Sequence, residues 1–80
     1  MPVIFRHQAY RFFFFSNEGD PREPPHVHVM RDDRRAKFWI RPVALADNSG
    51  FPAAELNKLA EIIEGRQDEI ERAWHEHFGD

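Results

Sequence analysis

The chain contains no cysteine and only four glycines among its 80 residues. Without cysteine there is no disulfide framework, no thiolate metal cage and no cysteine nucleophile. The glycines form no loop of the kind that cradles nucleotide phosphates. No apolar run approaches the ~20 residues of a membrane-spanning helix, and the opening residues MPVIFRHQ lack the cationic start and apolar core of a signal peptide. We therefore expect a cytoplasmic protein with no membrane association.

Neither sign of charge dominates strongly, but charge is divided along the chain. The formal net charge is −3, which argues against general binding to nucleic acid. Residues 1–45 contain eight Lys or Arg against five Asp or Glu, a net +3, whereas residues 46–80 contain three against nine, a net −6. The two parts can form surfaces with different partners, unless the acidic side chains only solvate a helix.

The first 46 residues are mainly β-strand by composition, since they are rich in β-branched and aromatic residues. Gly, Asp and Pro mark residues 16–25 as a long irregular loop, and Asp32 and Asp33 as a tight turn. We expect three or four of the strands to form one antiparallel sheet. The predicted strands are residues 3–7, 10–15, 26–31 and 36–41, with a short additional one at 43–45.

From Pro52 onward the apolar residues follow a helical period. Pro52 suits the first turn of a helix, and Gly65 does not shift the phase of the apolar stripe, so one long helix over residues 52–78 is predicted. The chain is thus predicted to be a single α+β domain, residues 1–80, in which a small antiparallel sheet of three to four strands packs on one long C-terminal helix. The stripe consists of Leu56, Leu59, Ile63, Ile70, Trp74 and Phe78.

Alternation along the predicted hairpin separates two faces of the sheet. The aliphatic face suits the helix stripe, and the run FFFF at residues 12–15 is apolar on both sides, although one helix covers only one face. We therefore expect the second face, with one pair of these phenylalanines, to contact another protein chain, for example a second copy in a symmetric dimer. The alternative is an internal cover formed by the loop and the N-terminal residues. The aliphatic face is Val27, Val29, Ala36, Phe38 and Ile40; the second face is His26, His28, Met30, Lys37, Trp39 and Arg41.

The motif PPHVHV, residues 24–29, places two histidines on the same side of a strand. Such a pair can bind an ion such as zinc if other side chains complete the ligand set. It can also supply the base and the acid of an RNA-cleaving enzyme at neutral pH. The third interpretation, which we favour, is that both histidines line a protein-contact surface. The residues of the metal hypothesis are His26, His28, Asp20, Glu23 and His7.

The RNA hypothesis uses further residues of the same region. Basic side chains would hold a phosphate and Trp39 would stack on a base. The basic candidates are Arg22, Arg31, Arg35, Lys37 and Arg41. Under the favoured interpretation the binding residues are His26, His28, Lys37, Trp39 and Arg41; no catalytic residue is assigned beyond the candidates His26 and His28, and no metal or other cofactor is expected.

Several motifs together resemble the bacterial "domain of unknown function 4160" family. The most distinctive is PPHVHV; the chain departs from the family pattern in the FFFF run and in its arginine-rich hairpin turn. The matching elements are the opening residues 1–6 (MPVIFR), residues 24–29, Gly50-Phe51-Pro52 and Trp74.

The resemblance carries functional expectations of its own. It implies a small cytoplasmic protein encoded beside another short protein, often of the "domain of unknown function 2442" family, in pairs regarded as candidate toxin–antitoxin modules. It also implies that His26 and His28 are the functional positions. The expected function is therefore a protein-binding module of a toxin–antitoxin-like pair, which binds a partner or itself; the alternative is an RNA-cleaving or metal-dependent toxin.

Overall fold

A computed structural model describes residues 3–15 and 23–79. Within these residues five strands are followed by two helices, so the predicted α+β class is confirmed. The sheet has five strands rather than three or four, and the predicted single helix is divided in two. The strands are β1 (Val3–His7), β2 (Tyr10–Phe13), β3 (His26–Arg31), β4 (Arg34–Ile40) and β5 (Val43–Ser49), and the helices are α1 (Ala53–Gly65) and α2 (Gln67–Phe78).

The sheet is an antiparallel meander in which each strand pairs with its neighbours in sequence. The strand order is β1-β2-β3-β4-β5, so β1 and β5 form the two edges. The predicted turn at Asp32 and Asp33 is a two-residue hairpin turn, because Arg31 pairs with Arg34 across it. Asp32 has a φ of 55°, a left-handed conformation that aspartate tolerates better than most residues.

β5 is longer than its sequence predicts. Its second half, ADNS, has little intrinsic preference for a strand, yet it continues the ladder with β4 up to the pair Arg35–Ser49. A bulge at Ala46 separates this half from the pair Phe38–Leu45. Pairing with β4 therefore overrides the local preference of residues 46–49, which the sequence alone does not indicate.

The core lies between the aliphatic face of the sheet and the helix stripe, as predicted. All five aliphatic residues of that face are buried, and so are Leu59, Ile63, Ile70 and Trp74 from the helices. Phe12 and Phe14 join this core, where the ring of Phe14 meets Trp74 edge-on at 5.3 Å.

The helix break falls at Arg66, whose φ of −124° and ψ of 22° are not helical. Gly65 weakens the helix locally, since glycine costs about 1 kcal/mol relative to alanine in a helix. The Gln67 side chain then donates to the Ile40 carbonyl, and the Arg66 guanidinium lies over the Phe5 ring at 4.1 Å. These contacts hold α2 against the sheet. In the described part of the chain, neither helix has the length and apolarity needed to cross a membrane.

Candidate protein-interaction surface

The candidate site lies on the outer face of the sheet, the face opposite the aliphatic side chains of the core. Strand pairing determines which side chains meet there. His28 on β3 lies opposite Phe13 on β2 and Lys37 on β4, and Lys37 in turn lies opposite Asp47 on β5. Directly opposed residues of antiparallel strands point to the same face, so these four side chains form one row across the outer face.

A cluster of rings surrounds His28. Its imidazole stacks on Phe13 at 5.6 Å and meets Phe15 edge-on at 4.6 Å. His28 and Phe15 are half-buried, whereas Phe13 is only 2% exposed. The sequence predicts that one pair of phenylalanines, here Phe13 and Phe15, adds exposed apolar surface to this face. Phe13 adds none, so the apolar area offered by the outer face is smaller than the sequence predicts.

Trp39 continues the outer face toward the end of β4. The Lys37 ammonium lies 4.7 Å from the centroid of the Trp39 ring, and it also lies 3.0 Å from Oε1 of Glu23. A cation over the face of an indole is attracted by the negative face of the ring. The two contacts fix Lys37 against Trp39, and both side chains remain half-buried.

His26 differs from His28 in its environment. It is fully buried, its Nδ1 donates to the carbonyl oxygen of Pro24 at 3.0 Å, and its ring packs against Trp74 of α2 at 4.8 Å. Trp39 meets it edge-on at 5.6 Å. A side chain enclosed in this way supports the fold, and it offers no surface to a partner or to a substrate. The motif therefore separates into one structural histidine and one surface histidine.

The residues of the metal and acid–base hypotheses have different surroundings in the structure. Across residues 3–15 and 23–79, no group of three or more His, Asp or Glu side chains is arranged to hold a metal ion. The His26 and His28 rings are perpendicular at 5.3 Å, but burial keeps His26 from reaching a substrate. Of the other proposed ligands, His7 is on β1 opposite Tyr10, Glu23 lies 3.6 Å from His26 Nδ1, and Asp20 is outside the described residues.

Two of the basic residues that the RNA hypothesis uses to hold a phosphate, Arg31 and Arg41, are engaged in other contacts. Arg41 forms ion pairs with Glu71 (2.8 Å) and Asp68 (3.2 Å) of α2, and the hydrogen bond to Arg41 lowers the pKa of Glu71. Arg31 donates to the Tyr10 hydroxyl on the helix side of the sheet. Arg35 is the predicted basic residue that joins Lys37 on the outer face, and Arg22 is outside the described residues.

A row of arginines on the outer face was not predicted. Arg6 lies opposite Arg11, Arg11 opposite Met30, and Met30 opposite Arg35. Arg6 and Arg35 are exposed, and Arg11 donates to the Met30 sulfur at 2.9 Å. Within the described residues no carboxylate pairs with these three arginines, and like charges directly opposed across strands are destabilising. The row depends on the register of β1 and β2, which the sequence pattern does not indicate.

Two hollows lie next to these residues. The first, of about 210 Å³, is lined by the rings of Phe13, Phe15 and His28, with Arg35, Lys37 and Asp47 also in its wall. The second, of about 320 Å³, lies between Trp39, Arg41 and three prolines, Pro24, Pro25 and Pro42. The prolines of the motif PPHVHV thus shape a second recess beside Trp39.

Comparison with known proteins identifies one family. The family model described as "Domain of unknown function (DUF4160)" matches residues 9–75, a range that includes PPHVHV, Trp39 and most of both helices. Neither the curated proteins nor the solved structures yield a match. Because the family model covers most of the chain, the protein belongs to the DUF4160 family.

Proposed function

We propose that the chain is a small cytoplasmic protein-binding module of a toxin–antitoxin-like pair and that it holds its partner on the outer face of the sheet. One observation carries this proposal: half-exposed rings lie beside three arginines that no described carboxylate neutralises. The toxin–antitoxin part rests on what the family resemblance implies, namely a second short protein encoded beside this one.

The composition of the outer face supports a protein partner over a nucleic acid. Aromatic residues, methionine and arginine are enriched in the cores of protein interfaces, whereas lysine is depleted. The outer face has Trp39, Phe15, Met30 and the arginine row, while Lys37 is already engaged by Glu23. The net charge of −3 for the whole chain also opposes association with a long polyanion.

The arginine row defines the chemistry of the partner. A guanidinium group binds a carboxylate through two parallel hydrogen bonds. A partner segment that carries Asp or Glu beside an apolar side chain would place its carboxylates on the arginine row and its apolar group in the hollow of His28. Two copies that met through this face would oppose their own arginines, so a different protein suits the surface better than a second copy does.

Binding to the short protein encoded beside this one tests the proposal by calorimetry. Trp39→Ala and Arg35→Glu should each weaken binding at least tenfold, because each removes or reverses a central group of the surface. Lys58→Glu on the exposed side of α1 is the matched control and should leave the affinity unchanged. Equal affinities for all four proteins would remove the outer face from consideration.

The enzyme alternative is tested in the same experiment with His28→Ala and an assay of RNA cleavage. If His28 is the acid or base of a ribonuclease, this variant abolishes cleavage while the partner still binds. If His28 is a contact residue, binding weakens and the wild-type protein shows no cleavage. His26→Ala is less informative, since removal of a fully buried ring is expected to cost about 2–4 kcal/mol of stability.

A further inference from the structure

We infer that the segment of the partner that binds the outer face is an acidic α-helix, which lies across the strands along the arginine row. The helix occupies the surface of the proposed function, on which this inference therefore rests. It adds the conformation of the bound segment and the spacing of its acidic residues. Two features carry it: the backbone pairing of the strands beneath the row, and the distance between the members of the row.

The strands beneath the arginine row offer no free backbone groups to a bound segment. β2, β3 and β4 each pair with a neighbour on both sides, so their N–H and C=O groups are engaged within the sheet. A segment that lies on this face must therefore satisfy its own backbone groups. An α-helix does so through its internal hydrogen bonds, whereas an extended strand needs the free edge of a sheet. The interior of the outer face thus favours a helix as its occupant.

The arginine row has the spacing of a helix. Its members are directly opposed residues of neighbouring strands, so the row runs perpendicular to the strands in the order Arg6, Arg11, Met30, Arg35. With strands about 4.8 Å apart, the members lie at about 0, 5, 10 and 14 Å along the row. A helix rises about 1.5 Å per residue, and residues three, seven and ten positions after the first lie on the same side, at about 4.5, 10.5 and 15 Å. Same-side residues of an extended strand repeat at about 6.7 Å and do not match.

The charges of the row specify the side chains and the direction of the helix. A carboxylate over each arginine accepts hydrogen bonds from the guanidinium group, and an apolar side chain suits the position over Met30. The C-terminal end of a helix carries a partial negative charge, so it belongs over Arg11 and Arg6, at the end of the row with two arginines. Counted from Arg35, the helix then requires Asp or Glu at its first, eighth and eleventh positions and an apolar residue at the fourth.

The helices of this chain do not carry that pattern. Within α1 and within α2, no acidic residue is followed by further acidic residues at the eighth and eleventh positions. Counted from Glu55 and Asp68, the eighth positions are Ile62 and His75. The arginine row therefore suits a helix of a different protein better than a helix of a second copy.

Synthetic peptides test the inference without the natural partner. An alanine-rich peptide of about 18 residues, long enough to form a helix, carries Glu at the first, eighth and eleventh positions of the pattern and Leu at the fourth. In the control peptide the second and third Glu move to the sixth and thirteenth positions, on another side of the helix, and circular dichroism checks that helicity is equal. By calorimetry the matched peptide should bind at least about tenfold tighter than the control.

Equal affinities of the two peptides, or binding of neither, would overturn the inference. A third peptide keeps the matched pattern but has proline at the sixth position, which breaks the helix. Its affinity should fall at least about tenfold. Unchanged affinity would show that the occupant is extended, and this would also overturn the inference.

Charge reversal tests the alignment of the helix on the row. Arg35→Glu should weaken binding of the matched peptide at least about tenfold, and a peptide with Lys at the first position should restore it. The same Lys peptide should not restore binding to Arg6→Glu, at the opposite end of the row. Arg72→Glu, exposed on α2, is the matched control and should leave the affinity unchanged. Equal restoration of both variants would overturn the inference.

Calorimetry with the short protein encoded beside this one separates the inference from the proposed function. If Arg35→Glu weakens binding of that protein while the matched and control peptides bind equally, the helix is excluded and the proposed function stands. If Arg35→Glu changes neither kind of binding, both fall. Light scattering of the protein alone completes the test: copies that associate and are separated by Arg35→Glu would identify a second copy as the occupant and overturn the inference.

Discussion

At the scale of single residues, Tyr10 connects the sheet to α1. Its hydroxyl donates to Glu55 at 2.5 Å, and Arg34 donates to the other oxygen of the same carboxylate at 2.8 Å. Tyr10 is 2% exposed. The hydrogen bond to Glu55, followed by burial, raises the pKa of Tyr10 above 10.0. The fold therefore favours the protonated phenol, and this contribution to stability is present below the ordinary pKa and is lost as the pH rises through the raised one.

Tyr10 is the only tyrosine of the chain, so ultraviolet absorbance of the phenolate reports on it directly. We expect a titration midpoint above 10.0 in the folded protein and near 10 in denaturant. Glu55→Ala should move the folded midpoint toward the ordinary value and lower stability by about 2 kcal/mol, because two hydrogen bonds to a charged group are lost. Glu61→Ala, on the exposed side of the same helix, is the control. Identical midpoints in wild type and Glu55→Ala would show that the contact does not determine the titration.

The two histidines of PPHVHV differ in how far the sequence predicts their surroundings. Alternation along a strand correctly placed His28 in the row that contains Lys37. The burial of His26 depends on Trp74, which is 48 positions away in the sequence and approaches only when α2 packs on the sheet. A contact of this kind has no local signal, so the sequence could not separate the structural histidine from the surface histidine.

At the scale of elements, replacing either of two glycines by alanine should have opposite effects on stability. Gly50 follows β5 with a φ of +100°, and a Cβ there would lie 2.8 Å from Cγ of Arg34. Gly65 ends α1, and a Cβ there would point into open space, away from any other part of the fold. We expect Gly50→Ala to lower the free energy of unfolding by about 1–2 kcal/mol, since a left-handed conformation is unfavourable for alanine. Gly65→Ala should instead raise it by about 0.5–1 kcal/mol.

Urea unfolding of both variants measures these effects, and the change at one glycine serves as the control for the other. Destabilisation by Gly65→Ala would mean that the break between α1 and α2 requires glycine at this position. The apolar stripe predicted the burial of Ile63 and Ile70 because the break preserves its phase. It did not predict the break, which is accompanied by the contacts of Arg66 and Gln67 with the sheet.

At the scale of the whole molecule, the charge division along the sequence becomes a division between layers. The basic first part supplies the sheet with its arginine row, and the acidic second part supplies the helices. Composition predicted this separation, because a sheet built from residues 1–45 and helices built from the remainder must lie in different layers. It did not predict the strand register that aligns three arginines, which depends on the turn between β1 and β2. The position of the candidate surface can therefore be identified only from the fold, whereas its positive charge can be predicted from the sequence.

Arg41 joins the two layers, and its ion pair makes their docking sensitive to acid. It follows β4 and lies 2.8 Å from Glu71 of α2, and the hydrogen bond to Arg41 lowers the pKa of Glu71 below 4.5. A lowered carboxyl pKa means that the stabilisation is present above the ordinary value and is lost as the pH falls through the lowered one. We therefore expect Arg41→Ala to reduce the thermal midpoint near pH 7 and to have less effect once Glu71 is protonated.

Thermal unfolding of wild type and Arg41→Ala at a series of pH values measures this difference. The gap between their midpoints should narrow as the pH falls below about 4, where both proteins carry a neutral Glu71. Arg72→Ala provides the control, since Arg72 is exposed on the same helix and has no ion-pair partner among the described residues. The difference in thermal midpoint between wild type and Arg72→Ala should stay constant over this pH range. A constant gap for Arg41→Ala would mean that Arg41 stabilises the docking of α2 through its hydrocarbon stem beside Trp39 and Pro42, rather than through the charge of Glu71.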